Sequence, residues 1–212
     1  MIITFDGPSG SGKSTLAKRI AKNLNLIHID SGSIYRAIAY YLLTNNIDQN
    51  NLEDILNDIK IDYKKSGVRL DKKKLTYQIR TSDVANMASI IATKPYVRNS
   101  VNKIIRDISL NNSIVVDGRD IGSVVLPNAD FKFYIEASAE TRAKRRFNQM
   151  KRKKILNNKT YDDILSEIKE RDKRDSEREH DPLVVPQNAI IIDTSKKNIQ
   201  TNLSEILSYV NK

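Results

Sequence analysis

The chain has 212 residues, a formal net charge of +10 and no cysteine. This length suffices for one α/β core with small insertions, and the lack of cysteine excludes disulfides and thiolate metal sites. No apolar run approaches the roughly 20 residues of a membrane helix, and the first residues are typical of a strand rather than a signal peptide. We therefore expect a cytoplasmic protein with no membrane partner, whose positive charge favours acidic ligands.

A glycine-rich loop follows the first apolar run, Ile2 to Phe5, and precedes a helical pattern. The loop matches GxxxxGK[ST] and consists of Gly7, Pro8, Ser9, Gly10, Ser11, Gly12, Lys13, Ser14 and Thr15. Between a strand and a helix this pattern forms a phosphate cradle, because glycines let backbone N–H groups turn inward. Lys13 is expected to reach the β- and γ-phosphates, and Ser14 to ligate Mg²⁺. An ordinary glycine turn before a helix is the weaker alternative.

Further apolar runs alternate with helical patterns along the chain. The predicted strands are Ile2 to Phe5, Leu26 to Ile29, Ile114 to Val116, Phe131 to Ile135 and Ala189 to Ile192. Their shortness and their β-branched or aromatic content are typical of buried parallel strands. The pattern predicts a doubly wound α/β fold, specifically a P-loop NTPase-type parallel sheet flanked by helices.

Two stretches interrupt this alternation. Residues 59–79 predict a small antiparallel insertion with strands at Ile61 to Tyr63, Val68 to Leu70 and Leu75 to Ile79. The turns are expected at Ser66-Gly67 and Asp71-Lys72-Lys73. The second stretch, Lys151 to Tyr161, is polar and predicts a mobile flap, because it has little to bury.

The strand at Ile114 to Val116 ends on Asp117, and the sequence Asp117-Gly118-Arg119-Asp120-Ile121-Gly122 follows. A carboxylate at this end of a parallel strand is suited to Mg²⁺ or its waters, although aspartate also starts ordinary turns. Arg119 and Asp120 between two glycines favour a close approach to a ligand, with a surface turn carrying an ion pair as the alternative.

Charged residues also mark two other segments. Asp30 to Arg36 follows a predicted strand, where Ser31 or Ser33 is expected to cap the next helix. A positive charge near the start of a helix is unfavourable because of the helix dipole, so Arg36 is expected there only if it contacts an anion. Residues 171–178 alternate in sign, which is typical of a solvated helix face with i,i+4 pairs.

Together these motifs resemble the bacterial cytidylate kinase family over nearly the whole chain. They are GPSGSGKST at 7–15, DSGSIYRA at 30–37, Arg80 with the following residues to Ser89, Tyr96-Val97-Arg98, DGRDIGSVVLP at 117–127 and RDKRDSER at 171–178. The combination of DSGxxYR with GRDIG is specific, whereas the glycine loop alone is not. Ser123 departs from the family, which more often has threonine there.

The resemblance implies transfer of the ATP γ-phosphoryl group to CMP or dCMP, with Mg²⁺ as cofactor. It implies a core at about 1–30, 95–148 and 179–212, a monophosphate-binding region at about 31–94 that includes the insertion, and a helical lid region at about 149–178. We expect the protein to be a monomer that acts on small molecules.

The resemblance also implies roles for individual residues. The residues for catalysis are Lys13, Arg36, Asp117 and Arg119, with Ser14 and Asp117 as metal ligands. Arg36, Arg119 and Arg178 would hold the acceptor phosphate, with Ser31 nearby. Ser89, Arg98 and Asp120 would face the cytosine edge, and Arg171 and Asp175 the ribose. Arg145 joins the glycine loop on the ATP side, with the adenine near Asp193-Thr194-Ser195.

Three rival functions remain open from the sequence. Another small P-loop kinase would need a different acceptor, which DSGSIYR and GRDIG disfavour. An ATPase module would need a glycine-rich signature loop before the second nucleotide strand, and the sequence has none there. A nucleic-acid-binding protein would favour stacking aromatics in the basic segment 142–180, where only Phe147 and Tyr161 occur, so we expect no nucleic-acid partner.

Overall fold

A computed structural model describes residues 1–64 and 67–211. The strands are β1 (Ile2–Asp6), β2 (Ile27–Asp30), β3 (Ile61–Lys64), β4 (Gly67–Leu70), β5 (Lys73–Lys74), β6 (Ile114–Asp117), β7 (Phe131–Glu136) and β8 (Ile190–Asp193). The helices are α1 (Lys13–Asn23), α2 (Ser31–Thr44), α3 (Leu52–Ile55), α4 (Ser82–Ile91), α5 (Pro95–Leu110), α6 (Ala139–Arg152), α7 (Tyr161–Glu177) and α8 (Ile199–Val210).

The main sheet is parallel and has five strands in the order β2-β6-β1-β7-β8. All five predicted strands are therefore confirmed. Side chains alternate between the two faces of a strand. Ile114 and Val116 accordingly pack into one core with α2, α4 and α5, while Val115 packs into another with α1 and α8. Burial on both faces explains why these strands are continuous apolar runs.

Three neighbouring strands of this sheet end on aspartate. Asp30 ends β2, Asp117 ends β6 and Asp6 ends β1, and the register places Asp30 opposite Asp117 and Asp117 opposite Phe5. The carboxyl ends of parallel strands are where open α/β sheets bind ligands. The fold thus places three carboxylates along the edge that also carries the glycine loop.

The insertion forms a separate antiparallel sheet in the order β3-β4-β5. Its first two predicted strands are confirmed, but the predicted strand at Leu75 to Ile79 is wrong. Asp71 and Lys72 turn the chain with positive φ, β5 is only Lys73–Lys74, and residues 78–80 form a single 3₁₀ turn. Of the predicted turn residues, Asp71 and Lys72 are confirmed, whereas the prediction is wrong for Gly67 and Lys73, which belong to β4 and β5. Ser66 lies outside the described residues.

The polar stretch before α7 is shorter and better packed than the sequence predicted. Lys151 and Arg152 still belong to α6, and Thr160 caps α7 in a capping box with Asp163. Leu156 and Tyr161 pack against a small apolar cluster between α6 and α7. No helix in the described part of the chain is long and apolar enough to cross a membrane.

Candidate active site

The glycine loop joins β1 to α1, as the sequence predicted. Gly7 has φ +141°, and a Cβ at this position would overlap the backbone carbonyl of Ile135 on β7. Only glycine fits there, because the loop turns directly over the neighbouring strand. Gly12 precedes α1 in a left-handed conformation and makes no side-chain cap, so the first N–H groups of α1 have no side-chain acceptor from the cap residue. That geometry provides donors for an anion.

Lys13 lies inside this loop and is only 6% exposed. Its Nζ donates to the Pro8 carbonyl at 3.0 Å. Burial, and next the nearby charge of Arg119, lower the pKa of Lys13 well below its usual range. A buried lysine next to another cation favours a negatively charged ligand, because the charge of that ligand would stabilise the ammonium form of the lysine.

Ser14 and Asp117 meet beside the loop, because the Ser14 hydroxyl donates to Oδ2 of Asp117. The other oxygen, Oδ1, is 2.7 Å from Nε2 of His28 on β2. Burial alone would raise the pKa of Asp117, but the hydrogen bonds from His28 and Ser14 and the charge of Lys13 lower it. Asp117 is therefore held ionised. Among residues 1–64 and 67–211, no three His, Cys, Asp or Glu side chains form a metal cluster.

Arginines converge opposite the glycine loop. Arg119 Nε donates to Oδ2 of Asp175 at 2.8 Å, and Arg171 Nε lies 3.9 Å from the same oxygen. Burial, and next the charge of Arg119, lower the pKa of Arg171 to about 10, and Arg36 adds to this effect. Arg36 itself pairs with Asp30 at 2.7 Å. Because Arg119 and Arg171 share one carboxylate, the cluster favours a further anion.

The start of α2 differs from the prediction in its cap. The cap is Asp30, whose carboxylate accepts from the backbone N–H of Ser33 at 3.1 Å. The expectation that Ser31 or Ser33 caps this helix is wrong, because both lie inside its first turn. Ser31 is buried, and its hydroxyl donates to the Asp117 carbonyl at 2.8 Å. Ser31 thus joins the start of α2 to the end of β6.

A second group of charged side chains surrounds the carboxylate of Asp120. Arg98 and Arg178 both donate to the carboxylate of Asp120, Arg178 at 3.2 Å. Arg178 Nε also donates to the Asp181 carbonyl at 2.7 Å. Ser89 accepts from Arg174 at 3.1 Å. The structure thus brings Arg98, Asp120 and Arg178 together, and the ion pair of Arg178 is with Asp120.

On the opposite side of the loop, two arginines of α6 fix its outer surface. Arg145 donates to the Thr194 carbonyl at 2.5 Å and to its hydroxyl at 3.1 Å, and that hydroxyl donates to the Ser11 carbonyl at 2.7 Å. Arg142 donates to the Ser9 carbonyl at 3.1 Å and forms two hydrogen bonds with Asp172 of α7. The loop is therefore attached to both α6 and the strand end at Thr194.

Sequence reasoning missed three residues at this site. Asp6 is fully buried, and its two oxygens accept from the backbone N–H groups of Ile121 and Gly122 at 2.8 and 2.7 Å. It ends a strand, as Asp117 does, so the same rule could have identified it. His28 and Asp181 had no such signal, because their partners lie 89 and 83 positions away in the chain.

A parallel sheet with a lysine-bearing glycine loop facing clustered arginines defines a P-loop phosphotransferase. The cytidylate kinase family profile matches residues 3–212, and the chain belongs to that family. It is 40% identical to the cytidylate kinase of Clostridioides difficile, over 100% of this chain and 98% of that protein. It is 42% identical to the cytidylate kinase of Thermosipho melanesiensis, over 98% and 95%.

Solved structures agree with the fold. Shikimate kinase from Bacteroides thetaiotaomicron superposes with a TM-score of 0.55 at 11% sequence identity, covering 100% of this chain and 99% of that one. At such low identity the match supports the architecture alone. The fold prediction of a P-loop NTPase-type sheet with a small antiparallel insertion is confirmed.

Proposed function

We propose that this chain transfers the γ-phosphoryl group of ATP to CMP or dCMP, giving ADP and CDP or dCDP. One observation carries the proposal beyond family membership. The buried Lys13 in the glycine loop faces a second cationic cluster, Arg36, Arg119 and Arg171, that is incompletely neutralised by its own carboxylates. Two anion sites facing each other suit a reaction between two phosphorylated molecules.

The donor phosphates fit the glycine loop. The N–H groups at the start of α1 and the Lys13 ammonium would hold the β- and γ-phosphates. Lys13 would exchange the Pro8 carbonyl for phosphate oxygens, since a neutral carbonyl is the weaker partner. The Arg145 guanidinium beside Thr194 offers a flat surface for the adenine.

Ser14 and Asp117 fit a Mg²⁺ ion. Magnesium prefers oxygen ligands, and one or two protein oxygens suffice when phosphates and waters complete the coordination. The Ser14 hydroxyl and the ionised Asp117 carboxylate already touch each other at the mouth of the loop. When bound, the ion would supply positive charge that offsets the negative charge of the donor phosphates.

The acceptor would lie between the two charged groups. Its phosphate fits Arg36 and Arg119, with Ser31 behind them, and Arg178 would have to leave Asp120 to join them. The ribose fits Asp175 and Arg171, whose carboxylate and guanidinium suit hydroxyl groups.

The cytosine edge fits Asp120, Arg98 and Ser89. A carboxylate accepts from the exocyclic amino group of cytosine, whereas the corresponding carbonyl of uracil has no proton to give. Arg98 can donate to the cytosine carbonyl and ring nitrogen. This part of the site therefore favours CMP or dCMP over UMP.

The reaction would be an in-line transfer through a loose transition state. The acceptor phosphate is already an anionic nucleophile, so the residues present need only align the two phosphates and offset their charge. Lys13 lies on the donor side, and Arg36 and Arg119 lie on the acceptor side. Closure of the lid region at about 149–178 would exclude water and limit ATP hydrolysis.

We also propose that the protein acts as a cytoplasmic monomer on small nucleotides, without a nucleic-acid partner. The arginines of the basic segment support the absence of a nucleic-acid partner, because many are paired inside the fold. Arg142 pairs with Asp172 and Arg178 with Asp120. A nucleic-acid surface would instead present its cations to phosphates in solvent.

The test is CDP formation from CMP, ATP and Mg²⁺ by the wild-type chain and two lysine variants. Lys13→Ala should lower kcat/KM by about 10²-fold or more, because it removes a donor aimed at the transferring phosphates. Lys18→Ala, an exposed lysine of the same helix, should match the wild type. Equal activity of the Lys13→Ala variant would contradict the proposal.

A further inference from the structure

Asp181 follows α7 in a turn with an unusual backbone. Its φ is +51°, a left-handed conformation that is uncommon for a residue with a side chain. Arg178 Nε donates to its carbonyl at 2.7 Å, and just beyond it the N–H of Leu183 donates to the Asp175 carbonyl at 2.8 Å. Such conformations persist where the surroundings fix them, and they concentrate at functional sites. The turn therefore holds the Asp181 carboxylate in one place.

That carboxylate contacts Arg98, the largest fully buried side chain of the described residues. Arg98 Nε donates to Oδ2 of Asp181 at 2.6 Å, while Arg98 itself is 1% exposed. Nη1 donates to the Ala92 carbonyl at 3.1 Å, and Nη2 donates to Asp120. Three acceptors on three nitrogens fix both the position and the plane of the guanidinium.

The remaining hydrogen-bonding capacity of Arg98 is directional. A guanidinium has five N–H groups in a rigid fork, and each terminal nitrogen carries two. In the described residues the structure gives Arg98 one acceptor on each terminal nitrogen. Each terminal nitrogen thus keeps one N–H for a ligand. Since Asp181 fixes Nε, it also fixes where these two N–H groups point.

Asp181 also sets the charge balance around Asp120. Arg98 and Arg178 both contact the Asp120 carboxylate. The Asp181 carboxylate also pairs with Arg98 and neutralises part of its charge. Without Asp181, two arginines would share one carboxylate, and both would pull more strongly on the oxygens of Asp120. Fewer of its lone pairs would then remain for a donor on a ligand.

We propose that Asp181 is a positioning residue that sets base selectivity. It orients Arg98, and it leaves the oxygens of Asp120 able to accept a hydrogen bond from a ligand. The inference rests on the proposed function, since it assigns the bound group as the base of the acceptor nucleotide. The discriminating contact is with the exocyclic amino group, which cytosine has and uracil lacks. Loss of Asp181 should therefore weaken CMP binding and narrow the gap between CMP and UMP.

Two substitutions separate the carboxylate from the backbone turn. Asp181→Gly removes the carboxylate and still permits positive φ, and Asp181→Asn keeps a neutral acceptor in a residue type that tolerates this conformation. Asp181→Gly should raise KM for CMP by about 10-fold, because a hydrogen bond to a charged group is lost. The CMP:UMP ratio of kcat/KM should fall by a similar factor, with kcat for CMP little changed. Asp181→Asn should give a smaller effect in the same direction.

A matched control is Glu205→Ala on α8, which breaks the 2.7 Å ion pair of Glu205 with Lys197, a residue that precedes this helix. Both acids have side chains that are 30% exposed. The control should keep the wild-type CMP:UMP ratio. An unchanged ratio in Asp181→Gly, with or without a lower melting temperature, would overturn the inference, as would a lower KM for CMP. If the wild type does not phosphorylate CMP at all, the proposed function fails instead.

Discussion

Because of Asp6, the free energy of unfolding of the protein should fall as the pH rises. Burial raises the pKa of Asp6 from the usual 3.8 of an aspartate to about 7, against the lowering effect of the two N–H groups that it accepts from. An acid with a raised pKa in the folded state contributes stability that is fully present below its unfolded pKa and is lost as the pH rises through the folded pKa. The window for Asp6 therefore runs from about pH 4 to about pH 7.

The magnitude follows from the size of this rise. Each pH unit between the unfolded and folded pKa values changes the free energy of unfolding by about 1.36 kcal/mol. With a folded pKa of about 7, Asp6 should lower the free energy of unfolding by about 3 kcal/mol between pH 5 and pH 8. Asp6→Asn removes the titration. It also leaves one N–H of Ile121 or Gly122 without an acceptor, which costs about 1–3 kcal/mol at every pH. The variant should start less stable and converge on the wild type as the pH rises.

The assay is urea unfolding of both proteins at several pH values from about 5 to 8, with the free energy of unfolding extrapolated to water. Other titrating groups are common to both chains, so the difference between the curves isolates Asp6. Asp107→Asn, which changes an exposed aspartate of α5, serves as control and should run parallel to the wild type. Parallel curves for Asp6→Asn as well would refute the reasoning.

Three further predictions concern the site. Gly7→Ala should abolish ATP binding measured by calorimetry, because its Cβ would overlap the Ile135 carbonyl; full affinity would contradict the loop geometry. Arg119→Ala should lower kcat for CMP phosphorylation by about 10²-fold or more, while Arg19→Ala on the exposed face of α1 should not. Wild-type turnover by a folded Arg119→Ala would exclude its role at the phosphate. Asp117→Asn should raise the Mg²⁺ concentration for half-maximal activity, and an unchanged requirement would count against Asp117 as a ligand.

The main sheet could be predicted because each strand is a short apolar run between polar turns. The insertion shows where that reasoning fails. Leu75 and Ile79 are both buried, but their spacing of four fits either an alternating strand or a single turn. Tyr77 between them is 78% exposed, and the chain in fact turns there. Local spacing alone could not decide between the two.

Part of the candidate site could likewise be predicted from the sequence, and part could not. The glycine loop, Asp117 and the first turn of α2 follow local rules about strand ends and helix starts. The pairing of the arginines does not, because Arg119 meets Asp175 across 56 positions and Arg98 meets Asp181 across 83. Such partners depend on how α7 and the turn after it pack over the sheet. The predicted cap of α2 is wrong for a local reason, because Asp30 and Ser31 are adjacent and both residue types suit the cap position.

The central claim is that the glycine loop serves a kinase whose acceptor is a cytidine nucleotide. The most direct measurement is ADP formation in a coupled assay, with ATP and Mg²⁺, for CMP, dCMP, UMP and AMP at equal concentrations. CMP or dCMP should have the highest kcat/KM, and UMP and AMP should be much poorer acceptors. The reason is that Asp120 accepts from the amino group of cytosine, while Arg98 donates to the carbonyl and ring nitrogen of the same base. A UMP or AMP value equal to that for CMP would contradict the account.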